Sequence, residues 1–206
     1  FGAQYTQLIA RRVREARVYC EIHPYDVSEQ FVRDFGAKGV ILSGSPFSVR
    51  DKNSPAPELS AFRTRIPVLA VCYGAQYLAQ IDGGEVEASN NREYGRANLS
   101  LIDGSNPLMK GLSDGSQVWM SHGDTIMKTP ASFRVIAGTS DVKVAGFAID
   151  SEQTYGIQFH PEVVHTPHGR EIFANFVHGV CGCGRNWTMR NYVEQAVQEI
   201  RAQVGK

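Results

Sequence analysis

The chain contains a cysteine, Cys72, at a position typical of an enzyme nucleophile. The apolar run 68–71 predicts a buried strand, and residues 75–79 predict the opening of a helix, so Cys72 falls on the turn between them. Gly74 gives this tight turn room. A side chain there projects above the sheet edge, and the amides at the helix start favour negative charge beside it. Because a free thiol is only partly ionised at neutral pH, catalysis by Cys72 requires a base nearby.

The tripeptide His160-Pro161-Glu162 supplies a candidate base and a group to orient it. The strand predicted over 155–159 ends at His160, and Pro161 keeps His160 extended. Side chains two positions apart on extended backbone share a face, so Glu162 can reach the imidazole. A carboxylate on one ring nitrogen fixes the tautomer and leaves the other nitrogen to take a thiol proton. Because strand ends gather at one edge of a parallel sheet, we predict thiol acyl transfer by Cys72, His160 and Glu162.

A third strand end offers backbone amides to a developing oxyanion. The run 39–43 predicts a strand that leads into Gly44-Ser45-Pro46. The N–H groups of Gly44 and Tyr73 are the candidate donors. Taken alone, this stretch is better explained as an ordinary Gly-Pro turn, and it lacks the G-x-x-x-x-G-K-[ST] pattern of a phosphate loop.

The order of the other elements predicts an α/β fold. Helices near 5–16, 31–32 and 58–63 alternate with strands at 18–22, 39–43 and 67–71, which favours a mostly parallel open sheet flanked by helices. From Gly83 the chain changes to short β-type segments, which predict an antiparallel extension of that sheet. These segments are 85–88, 96–102, 117–120, 133–139, 144–149 and 155–159. Helical patterns return at 168–178 and 189–204, the last with an apolar stripe that we interpret as a packing surface.

Composition narrows the classes of partner. With 206 residues and 42% hydrophobic residues, the chain has the size of one globular domain with a sizeable core. Its 21 Lys and Arg balance 21 Asp and Glu, without a basic run, so nucleic acid and anionic membranes are not predicted partners. The four cysteines form no disulfide framework and no apolar run reaches membrane-spanning length, which favours a reducing, cytoplasmic setting. The pair Cys181 and Cys183 beside His178 lacks zinc-site spacing, so no metal is predicted.

The motifs at 71–76, 159–162 and 43–46 together resemble those of the class I (triad) glutamine amidotransferases. Within that family, the segments 1–15, 118–124 and 181–183 are similar to the amidotransferase domains of glutamine-hydrolysing GMP synthases. The resemblance covers essentially the whole chain. It implies a flavodoxin-like fold with an antiparallel extension.

The resemblance also implies a reaction and a set of roles. Glutamine would be hydrolysed to glutamate, and the ammonia would pass to an ATP-pyrophosphatase (synthetase) domain that aminates XMP to GMP. By motif match, Cys72 attacks the amide, His160 moves protons and Glu162 orients His160. The remaining matched positions are Gly44 and Tyr73 for the oxyanion, and Gln76, Ser121 and Asp124 for the amino-acid end of glutamine. No cofactor is implied for this chain, since ATP and Mg²⁺ belong to the synthetase domain, and we expect the full enzyme to form a homodimer.

The same resemblance divides the chain into 1–184, an amidotransferase domain, and 185–206, a helix or linker toward the synthetase domain. The family's first strand would precede Phe1 and is missing from the sequence. Ser45 stands where the family commonly has glycine, so a peptide flip that needs positive φ is harder there. Two alternatives stay open. One is a sister triad amidotransferase or γ-glutamyl hydrolase, and the other is a regulatory docking module with negligible hydrolysis alone.

Overall fold

In the computed structural model, which describes residues 1–205 apart from the side chains at 61, 90–93, 195 and 199, seven strands form one sheet. Its order is β1-β2-β7-β6-β5-β3-β4. The strands are β1 (Val40–Leu42), β2 (Val68–Val71), β3 (Glu85–Ile102), β4 (Gln117–Lys128), β5 (Arg134–Thr139), β6 (Gly146–Ile149) and β7 (Thr154–Ile157).

The two ends of this sheet differ in strand direction. Strands β1, β2 and β7 run parallel, and every later neighbour in the order pairs antiparallel. The α/β class, with parallel strands at one end and an antiparallel extension, is therefore confirmed. The parallel strands bring the ends of β1, β2 and β7 to one edge, where the candidate catalytic residues follow.

Helices cover both faces of the parallel end. They are α1 (Thr6–Glu15), α2 (Glu29–Asp34), α3 (Ser60–Arg63), α4 (Tyr73–Ile81), α5 (Gly169–Ala174), a π-helical turn (Asn175–Val180) and α6 (Met189–Val204), with a 3₁₀ turn at Pro107–Met109. Side chains of β2 alternate between two apolar clusters, as a strand buried on both faces must. One cluster contains residues of α1 and α5, and the other contains residues of α3 and α4.

The strand predicted over 18–22 is wrong, because no strand forms there. A strand exists only where its backbone pairs with a neighbour, and β1 is the edge of the sheet on this side. A cavity of about 840 Å³ lies against both β1 and the 18–22 segment. The segment borders this cavity, and its β-type residues form no hydrogen-bonded ladder with β1.

Two other regions extend the predicted pattern. The segments 85–88 and 96–102 belong to one long strand, β3, which pairs with β4 over most of its length. Helix α6 has the predicted bounds, but none of its described side chains is buried. No described helix combines the length and apolar character needed to cross a membrane.

Candidate active site

Cys72 lies on a strained turn between β2 and α4. Its φ of 53° and ψ of −109° are unusual for a residue other than glycine, and the conformation is held by backbone bonds on both sides. The Cys72 amide donates to Ile157 O at 2.8 Å, and the Gln76 amide donates to Cys72 O at 3.1 Å. A Cβ at Gly74 would lie 2.9 Å from Leu42 O, so this turn packs against β1 only without a side chain there. The nucleophile-elbow geometry predicted for Cys72 is present.

His160 and Glu162 follow β7 and face Cys72. His160 Nδ1 lies 2.7 Å from Glu162 Oε1, and both side chains are buried. Burial alone would lower the pKa of His160, but hydrogen bonds to the Cys72 and Glu162 side chains outweigh it and raise the pKa to about 10. The structure thus brings Cys72, His160 and Glu162 together, and we call these three residues the triad corner.

The backbone around His160 is fixed from several directions. The His160 amide donates to Trp119 O at 2.9 Å. The Thr166 hydroxyl donates to His160 O at 2.7 Å and accepts from the Trp119 amide at 3.0 Å. The ring of Tyr5 meets the imidazole edge-on, with centroids 5.4 Å apart. Arg12 Nε donates to Glu162 O at 3.0 Å, which holds the other end of this loop.

Gly44 and Tyr73 both border the triad corner. A Cβ at Gly44 would lie 3.6 Å from Cys72 Cβ and 3.6 Å from His160 Cε1, so the loop after β1 passes directly over these side chains. Tyr73 is the first residue of α4, and its amide therefore has no carbonyl partner within the helix. The Ser45 hydroxyl accepts from the Phe47 amide at 3.2 Å, which stabilises the loop in its present form. The oxyanion assignment stays a prediction.

A second group of residues lies along β4. Cys72 Sγ is 3.9 Å from Ser121 O, which places the start of this stretch beside the thiol. Three residues further, on a strand that rises roughly 10 Å over that distance, comes Asp124. Arg50 Nε and Nη2 donate to Asp124 Oδ1 at 3.1 and 2.9 Å, and the Ser48 hydroxyl donates to Oδ2. We call Gln76, Asp124, Ser48 and Arg50 the Asp124 corner.

The structure shows Gln76 in a role that the sequence did not suggest. Gln76 Nε2 donates to Asp124 O at 2.7 Å and to Gln158 Oε1 at 3.3 Å. Both amide hydrogens are therefore used inside the protein, and donation to a ligand carboxylate requires one of these bonds to break. In this conformation Gln76 anchors β4 at Asp124. Its predicted contact with substrate stays untested.

His122 lies between the two corners and is buried. Its pKa is lowered to about 4, mainly by desolvation and in small part by the nearby His160, although a backbone hydrogen bond at Asp124 and the Asp124 charge act in the other direction. His122 is therefore neutral at neutral pH. No group of three or more His, Cys, Asp or Glu among the described residues is arranged to hold a metal ion.

The positioning role of several residues was not indicated by the sequence. Thr166 and Trp119 hold His160, Arg12 holds the Glu162 carbonyl, and Ser48 and Arg50 hold Asp124. Most of them act across a long stretch of chain. The partners in such pairs are far apart in the chain, so the sequence contains no local spacing that would reveal them.

Comparison with known proteins identifies the class to which this site belongs. A family model described as glutamine amidotransferase class-I matches residues 1–180. The chain belongs to the class-I glutamine amidotransferases, which confirms the predicted family.

Within this class, the chain is similar to particular curated proteins. Proteins from Cytophaga hutchinsonii and Bacteroides fragilis, both named as glutamine-hydrolysing GMP synthases, are 52% identical over 205 residues and 50% identical over 206 residues. Both alignments cover 100% of this chain and 40% of the relative. The chain therefore spans about 40% of the length of the curated relatives that it matches.

Two solved structures share the fold of this chain. A crystal structure of a Thermoplasma acidophilum protein, described as a putative GMP synthase subunit, matches with a TM-score of 0.74 and 32% identity, covering 88% of this chain and 90% of that one. A glutamine amidotransferase from Methylobacillus flagellatus matches with a TM-score of 0.65 and 17% identity over 83% of this chain and 88% of that one, which supports the fold.

Proposed function

We propose that this chain hydrolyses glutamine to glutamate and ammonia at the triad corner. Cys72 Sγ, with its proton held on His160, attacks the side-chain amide carbon. As the C–N bond breaks, His160 gives that proton to the nitrogen, and ammonia leaves a γ-glutamyl thioester on Cys72. Water then attacks the thioester while His160 takes its proton, and the γ-carboxyl product departs as the C–S bond breaks, which leaves the Cys72 thiolate beside protonated His160 as at the start. Atoms and charge balance without any further reactant.

The observation that carries this proposal is the paired environment of His160. A buried imidazole bonded to a thiol on one side and to a carboxylate 2.7 Å away on the other is the base-and-orienter arrangement of acyl transfer. A pKa raised to about 10 means that His160 carries a proton at neutral pH. That proton is the one that the leaving nitrogen requires.

The residues around the triad corner are assigned roles within the same proposal. The amides of Gly44 and Tyr73 stabilise the oxyanion of each tetrahedral intermediate, since both border Cys72. Asp124 accepts the α-ammonium of glutamine, and Ser121 lines the path from Cys72 to Asp124. Gln76 contributes by anchoring Asp124, and it binds the α-carboxylate only if one of its present hydrogen bonds is exchanged.

The ammonia has a proposed recipient. The curated relatives are named as GMP synthases and are more than twice as long as this chain, so we propose that a synthetase domain with ATP and Mg²⁺ uses the ammonia to convert XMP to GMP. The division into 1–184 as the amidotransferase domain and 185–206 as a connecting helix is supported by the exposed apolar side chains of α6. Four free cysteines fit work in a reducing cytoplasm.

Covalent labelling tests the hydrolytic step directly. A diazo-ketone analogue of glutamine should alkylate Cys72, which peptide mass mapping detects, and the purified chain should release glutamate from glutamine. Cys72→Ala should lose both, whereas the matched control Cys20→Ala should keep both. If the analogue modifies Cys72 neither alone nor with a synthetase partner present, glutamine is not the substrate.

The docking-module alternative predicts a different pattern in the same assay. Among observations that favour it are the exposed apolar stripe of α6 and the engagement of Asp124 by Arg50. In that case, glutamate release stays at background until the synthetase half of the Bacteroides fragilis relative is added with XMP and ATP. In the complex, Cys72→Ala should stop GMP formation from glutamine and leave GMP formation from free ammonia intact. Equal loss of both would contradict the division of labour.

A further inference from the structure

Arg50 is bound to the carboxylate of Asp124, the group that the α-ammonium of an amino-acid ligand would use. Its Nε and Nη2 groups lie 3.1 and 2.9 Å from Asp124 Oδ1, while the Ser48 hydroxyl donates to Oδ2. A carboxylate is an acceptor only, so Asp124 can bind an α-ammonium only through these same two oxygens. A guanidinium and an ammonium cannot both occupy Oδ1 without strong repulsion.

The two partners differ in their freedom to move. The Asp124 side chain is 8% exposed, whereas that of Arg50 is 47% exposed. Asp124 is part of β4, and Gln76 holds its carbonyl. Arg50 sits on a surface loop and its long side chain borders water. Exchange of the cation on Asp124 therefore proceeds by movement of Arg50.

The loop itself keeps Arg50 within reach. The Asp51 amide donates to Ser48 O at 3.1 Å, the Ser48 amide donates to Asp51 Oδ2 at 3.1 Å, and the Arg50 amide donates to Ser48 Oγ at 3.1 Å. This bonded turn fixes the backbone at 48–51. The motion needed is a rotation of the Arg50 side chain, which leaves the turn in place.

We propose that Arg50 is an internal occupant of the ammonium subsite, which holds Asp124 until an amino-acid substrate displaces it. This inference rests on the proposed function, and it adds a specificity-determining residue to it. A buried carboxylate is paired with a cation in both states, so neither state leaves it uncompensated. An amide ligand without an α-ammonium does not release Arg50 and is discriminated against.

The proposal makes Arg50 a competitor of substrate. A partly exposed ion pair of this kind is weak, so its removal should lower the half-saturating substrate concentration about two- to fivefold. The maximal rate should not change, because Arg50 contacts none of the reacting atoms. If Arg50 merely positioned Asp124, its removal would instead raise the half-saturating substrate concentration.

The test measures alkylation of Cys72 by the diazo-ketone analogue as a function of analogue concentration. Arg50→Met keeps the aliphatic part and removes the charge, Arg50→Gln is a second neutral variant in case the first folds poorly, and Arg50→Lys retains a cation. Arg65→Met, at an exposed arginine outside the Asp124 corner, is the matched control. Iodoacetamide, which has no amino-acid end, reports thiol reactivity alone.

We expect both neutral variants to reach half-maximal labelling at about two- to fivefold lower analogue concentration, Arg50→Lys to lie between them and the unaltered chain, and Arg65→Met to match the unaltered chain. Iodoacetamide rates should be equal throughout. An unchanged or higher half-saturating concentration in both neutral variants, or a lower maximal rate, overturns the role of Arg50. Absence of labelling in the unaltered chain, both alone and with the synthetase partner present, instead removes the proposed function, so the two failures are distinguishable.

Discussion

The triad corner and the Asp124 corner lie at the same edge of the sheet, yet they are built differently. At the triad corner, side chains and backbone are buried and are held by bonds from β4, from Thr166 and from α1. At the Asp124 corner, a buried carboxylate is held by side chains of a surface loop, one of them 47% exposed. Chemistry requires fixed geometry, whereas substrate entry requires a contact that can open.

This contrast leads to different expected effects of substitution. Changes at the triad corner should act on the rate of the chemical step, and changes at the Asp124 corner should act on half-saturation. A kcat effect measures interactions made only in the transition state, while KM carries interactions made equally in the ground state. Each variant below separates the two corners or shows that they act as one unit.

The largest effect is expected for loss of the base. His160→Ala should lower kcat for glutamate release by about 10²–10⁴-fold, because it removes proton transfer to and from the substrate. Glu162→Gln should be milder by roughly tenfold or more, since an orienting group contributes less than the base that it orients. Steady-state kinetics of glutamate release measures both. The reverse order of the two rates would remove Glu162 from the orienting role.

The same Glu162→Gln variant tests the charge on His160. The carboxylate is one of the groups that raise the pKa of His160 to about 10, so its loss should move the alkaline limb of the kcat/KM profile to lower pH. Arg11→Gln, at an exposed arginine of α1, is the control and should leave that limb in place. An alkaline limb that stays fixed in Glu162→Gln would show that another group titrates there.

The triad corner could be predicted from the sequence because each of its members follows a strand in the chain. Cys72 comes directly after β2 and His160 follows three residues after the end of β7, and strand ends of a parallel sheet meet at one edge, so local pattern was sufficient. Arg50 and Thr166 could not be found in this way. They act through contacts 74 and 6 positions away, and nothing in their own neighbourhood indicates the partner.

The strand predicted over 18–22 failed for a related reason. Its residues have β-type character, but a strand forms only where its backbone hydrogen-bonds to a neighbouring strand. The strand β1 does not pair with this segment. Helix α6 shows the reverse case. Its bounds follow from local pattern, including the Thr188 cap that accepts from the Asn191 amide, and they hold although little of the helix is buried.

The next largest effect concerns His122, between the corners. Its pKa is lowered to about 4 by burial, against 6.5 for an ordinary histidine, so between these values the unfolded chain binds a proton that the folded chain does not. The free energy of unfolding should therefore fall as pH falls from 6.5 to 4, by about 3 kcal/mol at most from this residue. Urea unfolding at pH 7 and pH 4 should show a smaller loss in His122→Gln. The control His168→Gln, at a histidine whose side chain is 40% exposed, should retain the loss.

A smaller effect is expected where α5 meets the loop 160–162, which we call the triad loop. Gly169 begins α5, and a Cβ there would overlap the carbonyl of Pro161, between His160 and Glu162. Gly169→Ala should destabilise the chain by about 1–3 kcal/mol and lower kcat, because the loop must shift. Gly179→Ala is the matched control, since a Cβ there meets nothing within 4 Å. Urea unfolding measures the stability and glutamate release measures kcat. Equal behaviour of the two variants would show that the triad loop can shift without a cost in stability or rate.

The smallest effect tests whether the corners are separate. Ser48→Ala removes the hydroxyl's hydrogen bond to Asp124 and the bond that it accepts from the Arg50 amide, while Asp124 keeps both Arg50 side-chain contacts and its anchor to Gln76. The free energy of unfolding should change by about 1 kcal/mol or less, and KM by a few-fold at most, with kcat unchanged. Ser45→Ala, earlier in the same loop, is the control for hydroxyl loss. If Ser48→Ala lowered kcat as much as Glu162→Gln, the loop would take part in the chemical step, and the two corners would form a single catalytic unit.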